Sequence, residues 1–297
     1  MRTHTRKIIT LVIILAIISI GFGCGKSQKE YANLAQAGTL YAAAIDNLLI
    51  ATQKISIDTN SERLLQDDAL ANRTLADYNG ISDEDKKLIK TIQQLRQHVA
   101  LLSRYFGLLY ELATSDAPKR AQDAIGDNSK GLIAEINNVS TQLQGSGLIP
   151  ANFAAAAGPI GNFVVAGIIR KELRNELDLR KDTIQKELLL QEKLLEVLST
   201  RITHDLTITQ EARELRLVIK PLIDVSPISN PEGWSTARRT VLTLQLTADE
   251  LGIASTNVKK LREAFEDLAS GKLTLARVNA LITDFQTLLT IAEKLKG

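Results

Sequence analysis

Three histidines and one cysteine are the scarce reactive side chains of this 297-residue chain. His4 sits in a basic start, which leaves His98 and His204 for any metal or acid–base chemistry. A carboxylate-bridged di-metal bundle needs Glu three residues before each histidine. Leu95 and Arg201 occupy those places. No His-Glu-x-x-His zinc motif occurs. Each of His98 and His204 therefore reads as a lone surface histidine. Gly158, Pro159, Ile160 and Gly161 are glycine-rich but lack the Lys and Ser/Thr of a phosphate loop. Glu172 and Glu176 lie one helical turn apart, as a carboxylate pair would. Arg170, Lys171, Arg174 and Arg180 surround them, so the pattern reads as a solvated, ion-paired helix face. Serine has no histidine and carboxylate arranged for a triad. The expectation is a protein with no catalytic residues, no bound metal and no cofactor, and so not an enzyme.

Cys24 is different, because its setting is specific. Arg2, Arg6 and Lys7 precede an apolar stretch at residues 8–20, interrupted by Thr10 and Ser19. Gly21, Phe22 and Gly23 then lead into Cys24. This is the charged, apolar and small-residue order of an export signal. A sole cysteine at its end resembles the lipid-attachment site of bacterial lipoproteins. Gly23 fits that pattern, while Gly21 stands where an aliphatic residue is usual and Phe22 where a small one is. The resemblance implies removal of residues 1–23 and attachment of diacylglycerol, with an added acyl chain such as palmitate, at Cys24. Two or more chains anchor a protein stably where one does not. It also implies a short lipidated tether at residues 24–28. Gly25 in place of Asp favours the outer membrane, facing the periplasm, over the inner membrane. Two other readings stand beside it. Residues 8–23 could be an uncleaved anchor, although 16 residues fall short of the ~20 that span a bilayer. Ordinary secretion with a free thiol is the other, and exported proteins rarely leave one unpaired.

Charge adds little. The net charge is +2, and without Arg2, Arg6 and Lys7 the basic count falls from 36 to 33 against 34 acidic residues. A near-neutral domain gives no electrostatic footprint for nucleic acid.

The elements that must carry these residues are helical. Leu34, Tyr41, Leu48 and Ile55 recur every seven residues. Leu88, Ile92, Leu95, Val99, Leu102, Phe106 and Leu109 alternate steps of four and three, with Leu101, Tyr105, Leu108 and Leu112 beside them. Two seams on one helix require more than one neighbour, which means a bundle. Ile125, Leu132, Ile136, Val139 and Leu143 mark a third helix. Leu177, Ile184, Leu188, Leu195, Leu198, Ile202 and Leu206 mark a fourth and longest one, weakest across residues 203–209. Capping-box spacing at Thr59 and Glu62, and at Ser82 and Asp85, predicts helix starts. Asn79 and Gly80 predict a turn. Residues 224–230 read as a loop, Asn230 as a cap with Pro231 at the first helical position, and Gly271 as a stop after Val258, Leu261, Phe265 and Leu268. Leu275, Val278, Ile282, Phe285, Leu288, Ala292 and Leu295 form the last helix. The fold class expected is all-α: an elongated bundle of about six long helices at residues 29–297, with coiled-coil-like packing and possible sub-units at 29–147 and 148–297.

Residues 149–169 carry no charge and are rich in Ala and Gly. Small side chains suit close helix packing. The alternative is a membrane-inserting hairpin, similar in architecture alone to α-helical pore-forming toxins. Pro150, Pro159, Asn152 and Asn162 disfavour a plain spanning helix. The sequence thus points to a lipid-anchored bundle at the cell envelope, with a structural or protein-binding role and a protein partner whose identity it does not reveal.

Overall fold

A computed structural model describes the backbone of residues 2–65, 74–114, 123–128, 130–132, 171–224, 228–255 and 258–296. Side chains are described for residues 28–65, 74–114, 123–128, 130–132, 184–224, 228–243, 259–268 and 270–296. Within the described residues seven α-helices are bounded: α1 Arg2–Leu65, α2 Leu75–Thr114, α3 Lys171–Arg213, α4 Lys220–Ile223, α5 Pro231–Ser255, α6 Val258–Ala269 and α7 Leu275–Lys296. A π-helical turn, Glu214–Ile219, joins α3 to α4. Residues 123–128 and 130–132 are also helical, and no strand occurs among the described residues. The protein is an all-α bundle.

α1 is the central element, with α2, α3 and α7 packed on it. Side-chain bonds fix the directions. Gln28 meets the Ala113 carbonyl, Asp46 meets Arg96 and Asn60 meets Asp85, so α1 and α2 are antiparallel. Ser56 meets Asp205 and Glu62 meets Arg213 and Arg216, so α1 and α3 run parallel. Asn33 meets Asn279 and Lys54 meets the Lys296 carbonyl, so α7 is parallel to α1 as well.

The sevenfold repeat of α1 explains its place. Leu34, Tyr41, Leu48 and Ile55 are all buried, and so are Ala35, Ala42, Ile45 and Leu49 on adjoining faces. A helix apolar on several faces must be covered on several sides. Each fully buried Leu or Ile contributes about 1.5–3 kcal/mol. By length and composition Gln28–Leu65 could cross a bilayer, yet 61% of its most apolar window is buried inside the bundle. Both seams of α2 face the core. Ile92, Leu95, Val99, Leu102, Phe106 and Leu109 are buried with Tyr105 and Leu112, while Leu88, Leu101 and Leu108 pack at the edge. One continuous core joins α1, α2, α3, α6 and α7, and Ile125 and Leu132 belong to it. Ile136, Val139 and Leu143 lie outside the described residues.

Several helix boundaries differ from the sequence reading. Thr59 and Glu62 do not start a helix, since α1 continues through them to Leu65. The Thr59 hydroxyl bonds back to the Ile55 carbonyl at 2.8 Å, and the Glu62 carboxylate is held by Arg213 and Arg216. Ser82, Asp85, Asn79 and Gly80 all lie inside α2. The start falls earlier, at a reciprocal cap. The Thr74 amide donates to Asp77 Oδ2 at 2.8 Å, and the Asp77 amide donates to Thr74 Oγ1 at 3.3 Å. With two orphan amides satisfied there, the helix can run through Asn79 and Gly80. α1, with 64 residues, exceeds the 43 of α3, so the fourth expected helix is not the longest. Residues 203–209, the weakest part of the periodic pattern, are fully helical within α3.

Other signals hold. Asn230 Oδ1 accepts the Gly233 amide at 2.9 Å, with Pro231 opening α5. Gly271 adopts φ 71°, a left-handed conformation that suits glycine. The amides of Gly271 and Lys272 then bond to the carbonyls of Leu268 and Asp267 and close α6. The stretch read as one helix up to Gly271 is bounded as α5 and α6, with residues 256–257 outside the described ones.

Candidate functional site

The Cys24 thiol, residues 149–169 with Gly158 and Gly161, and the side chains of Glu172 and Glu176 lie outside the described residues. The two histidines are placed, and they differ. His204 is exposed on α3, as expected. His98 is not a surface residue. It is fully buried, and its Nε2 lies 2.8 Å from Glu187 Oε1 of α3, which is also fully buried. The spacing explains why. His98 stands three residues after Leu95 and four before Leu102, so it belongs to the buried seam. Glu187 sits beside Ile184 and Leu188 on the corresponding seam of α3. That register was the signal that could have placed both. Gln191 Nε2 donates to the same Glu187 oxygen at 2.8 Å. Glu187 Oε2, Gln191 Oε1 and the Tyr41 hydroxyl have no hydrogen-bond partner among the described residues. Burial, reinforced by the charges of Glu187 and Glu192, raises the Tyr41 phenol well above its ordinary 10.0. The neutral phenol is thereby held in place, packed on Phe285 with ring centroids 5.4 Å apart.

A second polar region fills the α1–α3 contact further along. Ser56 Oγ donates to Asp205 Oδ2 at 2.5 Å, and Arg201 Nε donates to the same oxygen at 2.6 Å. The Thr59 and Thr209 hydroxyls lie 2.8 Å apart. Glu62, almost fully buried, accepts from Arg213 and Arg216. These residues lie along the contact of α1 with α3 and the turn after it, and they bond to one another across it. A sequence reading by apolar periodicity passes over them, because Ser, Thr and Asp look like surface residues until a partner helix supplies their hydrogen bonds.

This polar seam forms one side of a groove between α2 and α3, with α1 as its floor. The groove has a volume of about 1040 Å³. Thr59 and Asn60 line the floor, Lys87, Lys90 and Gln94 line the α2 wall, and Arg201, His204 and Asp205 line the α3 wall. Among the described residues no group of three His, Cys, Asp or Glu side chains is arranged to hold a metal ion. What the groove offers is charge and hydrogen bonding. No family model matches the chain, and no curated protein or solved structure matches it.

Proposed function

We propose that this protein is an exported helical bundle, anchored to a membrane by lipid on Cys24, that binds another protein at the cell envelope and does not catalyse a reaction. The observation that carries the reading is the placement of the sole cysteine directly after a basic and apolar leader. Two features of the bundle support a binding role. Residues 24–28 leave a short link between the anchor and the bundle, since α1 packs in the core from Tyr31 onward. Large apolar side chains are exposed at the opposite end of α1. Leu65, Leu75, Tyr78, Leu222 and Ile223 are 42%, 74%, 56%, 59% and 72% exposed, at the ends of helices that the contacts of Asn60 and Glu62 bring to that one end of the bundle. Between residues 24 and 65 the helix rises roughly 60 Å, so a partner met there would be held away from the anchoring bilayer.

Mass spectrometry of the membrane-fraction protein tests the anchor. The expected result is a chain that begins at an acylated Cys24, with Cys24→Ser released or unprocessed. An intact Met1 or a free thiol at residue 24 would sink the anchor. A photocrosslinker at Ile223 tests the binding role in the same cells. One defined adduct, lost in Leu222→Asp, is expected; the absence of any adduct would argue against the role.

A further inference from the structure

The groove between α2 and α3 has an imbalance in how its charges are used. Its inner carboxylates are satisfied. Asp85 accepts from Asn60 Nδ2 at 2.7 Å, and Asp205 accepts from Ser56 and Arg201. Its cations are less fully used, although Arg63, which also lines the groove, donates to Asn60 Oδ1 at 3.3 Å. Lys87 and Lys90 line the groove, and among the described residues their side chains make no hydrogen bond or ion pair. Arg201 reaches Asp205 through Nε, and among the described residues its two terminal guanidinium nitrogens make no hydrogen bond. Lys86, which does not line the groove, is paired with Asp83 at 3.0 Å. Against these three cationic groups the walls offer, among the described residues, one carboxylate without a partner, that of Glu84.

The positions suit a ligand with more than one negative centre. Lys87 and Lys90 are three residues apart, so their roots differ by about 4.5 Å along α2 and by less than a turn. Arg201 faces them from α3 across a floor of buried Thr59 and Asn60. A guanidinium fork binds an oxyanion with directed hydrogen bonds, and ammonium groups add point charge. Clefts with low-dielectric walls concentrate such a field. Among the described residues no Phe, Tyr or Trp lines the groove, and the imidazole of His204 is its one ring. We infer that this groove binds a multiply charged oxyanion, carried by a phosphate or polycarboxylate ligand, between Lys87 and Lys90 on one side and Arg201 on the other. The inference does not depend on the lipid anchor.

The test uses the full-length chain in micelles of a non-ionic detergent, titrated with pyrophosphate and, separately, with citrate. Saturable binding of at least one anion is expected, weaker as salt is raised. The double variant Lys87→Gln, Lys90→Gln should weaken binding by about tenfold, since each exposed pairing is worth on the order of a few-fold. Lys86→Gln should leave it unchanged, and circular dichroism should show all three proteins equally helical. Binding of pyrophosphate alone assigns the ligand to phosphate, and binding of citrate alone assigns it to carboxylate. No saturation by either anion at millimolar concentration would overturn the proposal. So would equal affinity in the double variant, or an equal loss in Lys86→Gln.

Discussion

His98 of α2 and Glu187 of α3 are hydrogen-bonded at 2.8 Å with neither side chain exposed. Both helices lie against α1, and this bond links them directly to each other. Removing one member leaves the other buried and short of a hydrogen bond, which costs about 1–3 kcal/mol. His98→Leu should lower the unfolding free energy by an amount in that range, read from the shift in denaturation midpoint. Adding Glu187→Met should recover part of the loss, because an apolar pair of similar volume no longer buries an unmatched polar group. If the double variant is as unstable as the sum of the singles, the pair is not coupled.

Tyr41 predicts a pH dependence. Its hydroxyl is buried with no partner among the described residues, and burial raises its ionisation above 10.0, with Glu187 and Glu192 adding to the effect. The folded state therefore favours the neutral phenol more than the unfolded state does. That stability is fully present below the unfolded value near 10 and is lost as pH rises through the higher folded value. Melting temperature should fall in this alkaline range, and it should fall less in Tyr41→Phe. At neutral pH the same variant should lie within about 1 kcal/mol of the native protein or be more stable, since it removes an unsatisfied buried hydroxyl. Parallel alkaline melts of the two proteins provide the measurement, and identical curves would contradict the assignment.

Glycines in the bundle should respond in opposite directions. A Cβ at Gly38 would fall 2.4 Å from the Phe106 ring, so α1 approaches α2 there as only a glycine allows. Gly38→Ala should cost about 1–3 kcal/mol through overpacking. Gly80 has open space around its Cβ position and lies inside α2. Gly80→Ala should stabilise by about 0.5–1 kcal/mol. Chemical denaturation of both variants checks the pair, and a destabilising Gly80→Ala would restore the turn that the sequence suggests.

The start of α2 is testable in the same way. Thr74 and Asp77 cap each other's amides, so Thr74→Ala should cost about 0.5–2 kcal/mol. Ser82→Ala, within the helix, should change stability by less than about 0.5 kcal/mol. A larger effect at Ser82 would place the boundary where capping-box spacing first put it.

The all-α class was legible in the sequence alone. Apolar residues at steps of three and four can be buried together only on a helix, and the seams of α1, α2, α3 and α7 are buried as that spacing requires. Asn230 and Gly271 were legible for a local reason, because a cap and a left-handed stop involve residues a few positions apart. The starts assigned to Glu62 and Asp85 failed for the opposite reason. Their carboxylates are taken by Arg213 and Arg216 and by Asn60, and no local pattern reports such distant competitors. The burial of His98 was half-visible in its register, but a histidine enters a core only where a second helix supplies an acceptor, and Glu187 is 89 residues away. The groove between α2 and α3 was not legible at all. It exists because two helices that share α1 as a floor stand apart along part of their length, and that separation is a property of packing that no single segment encodes.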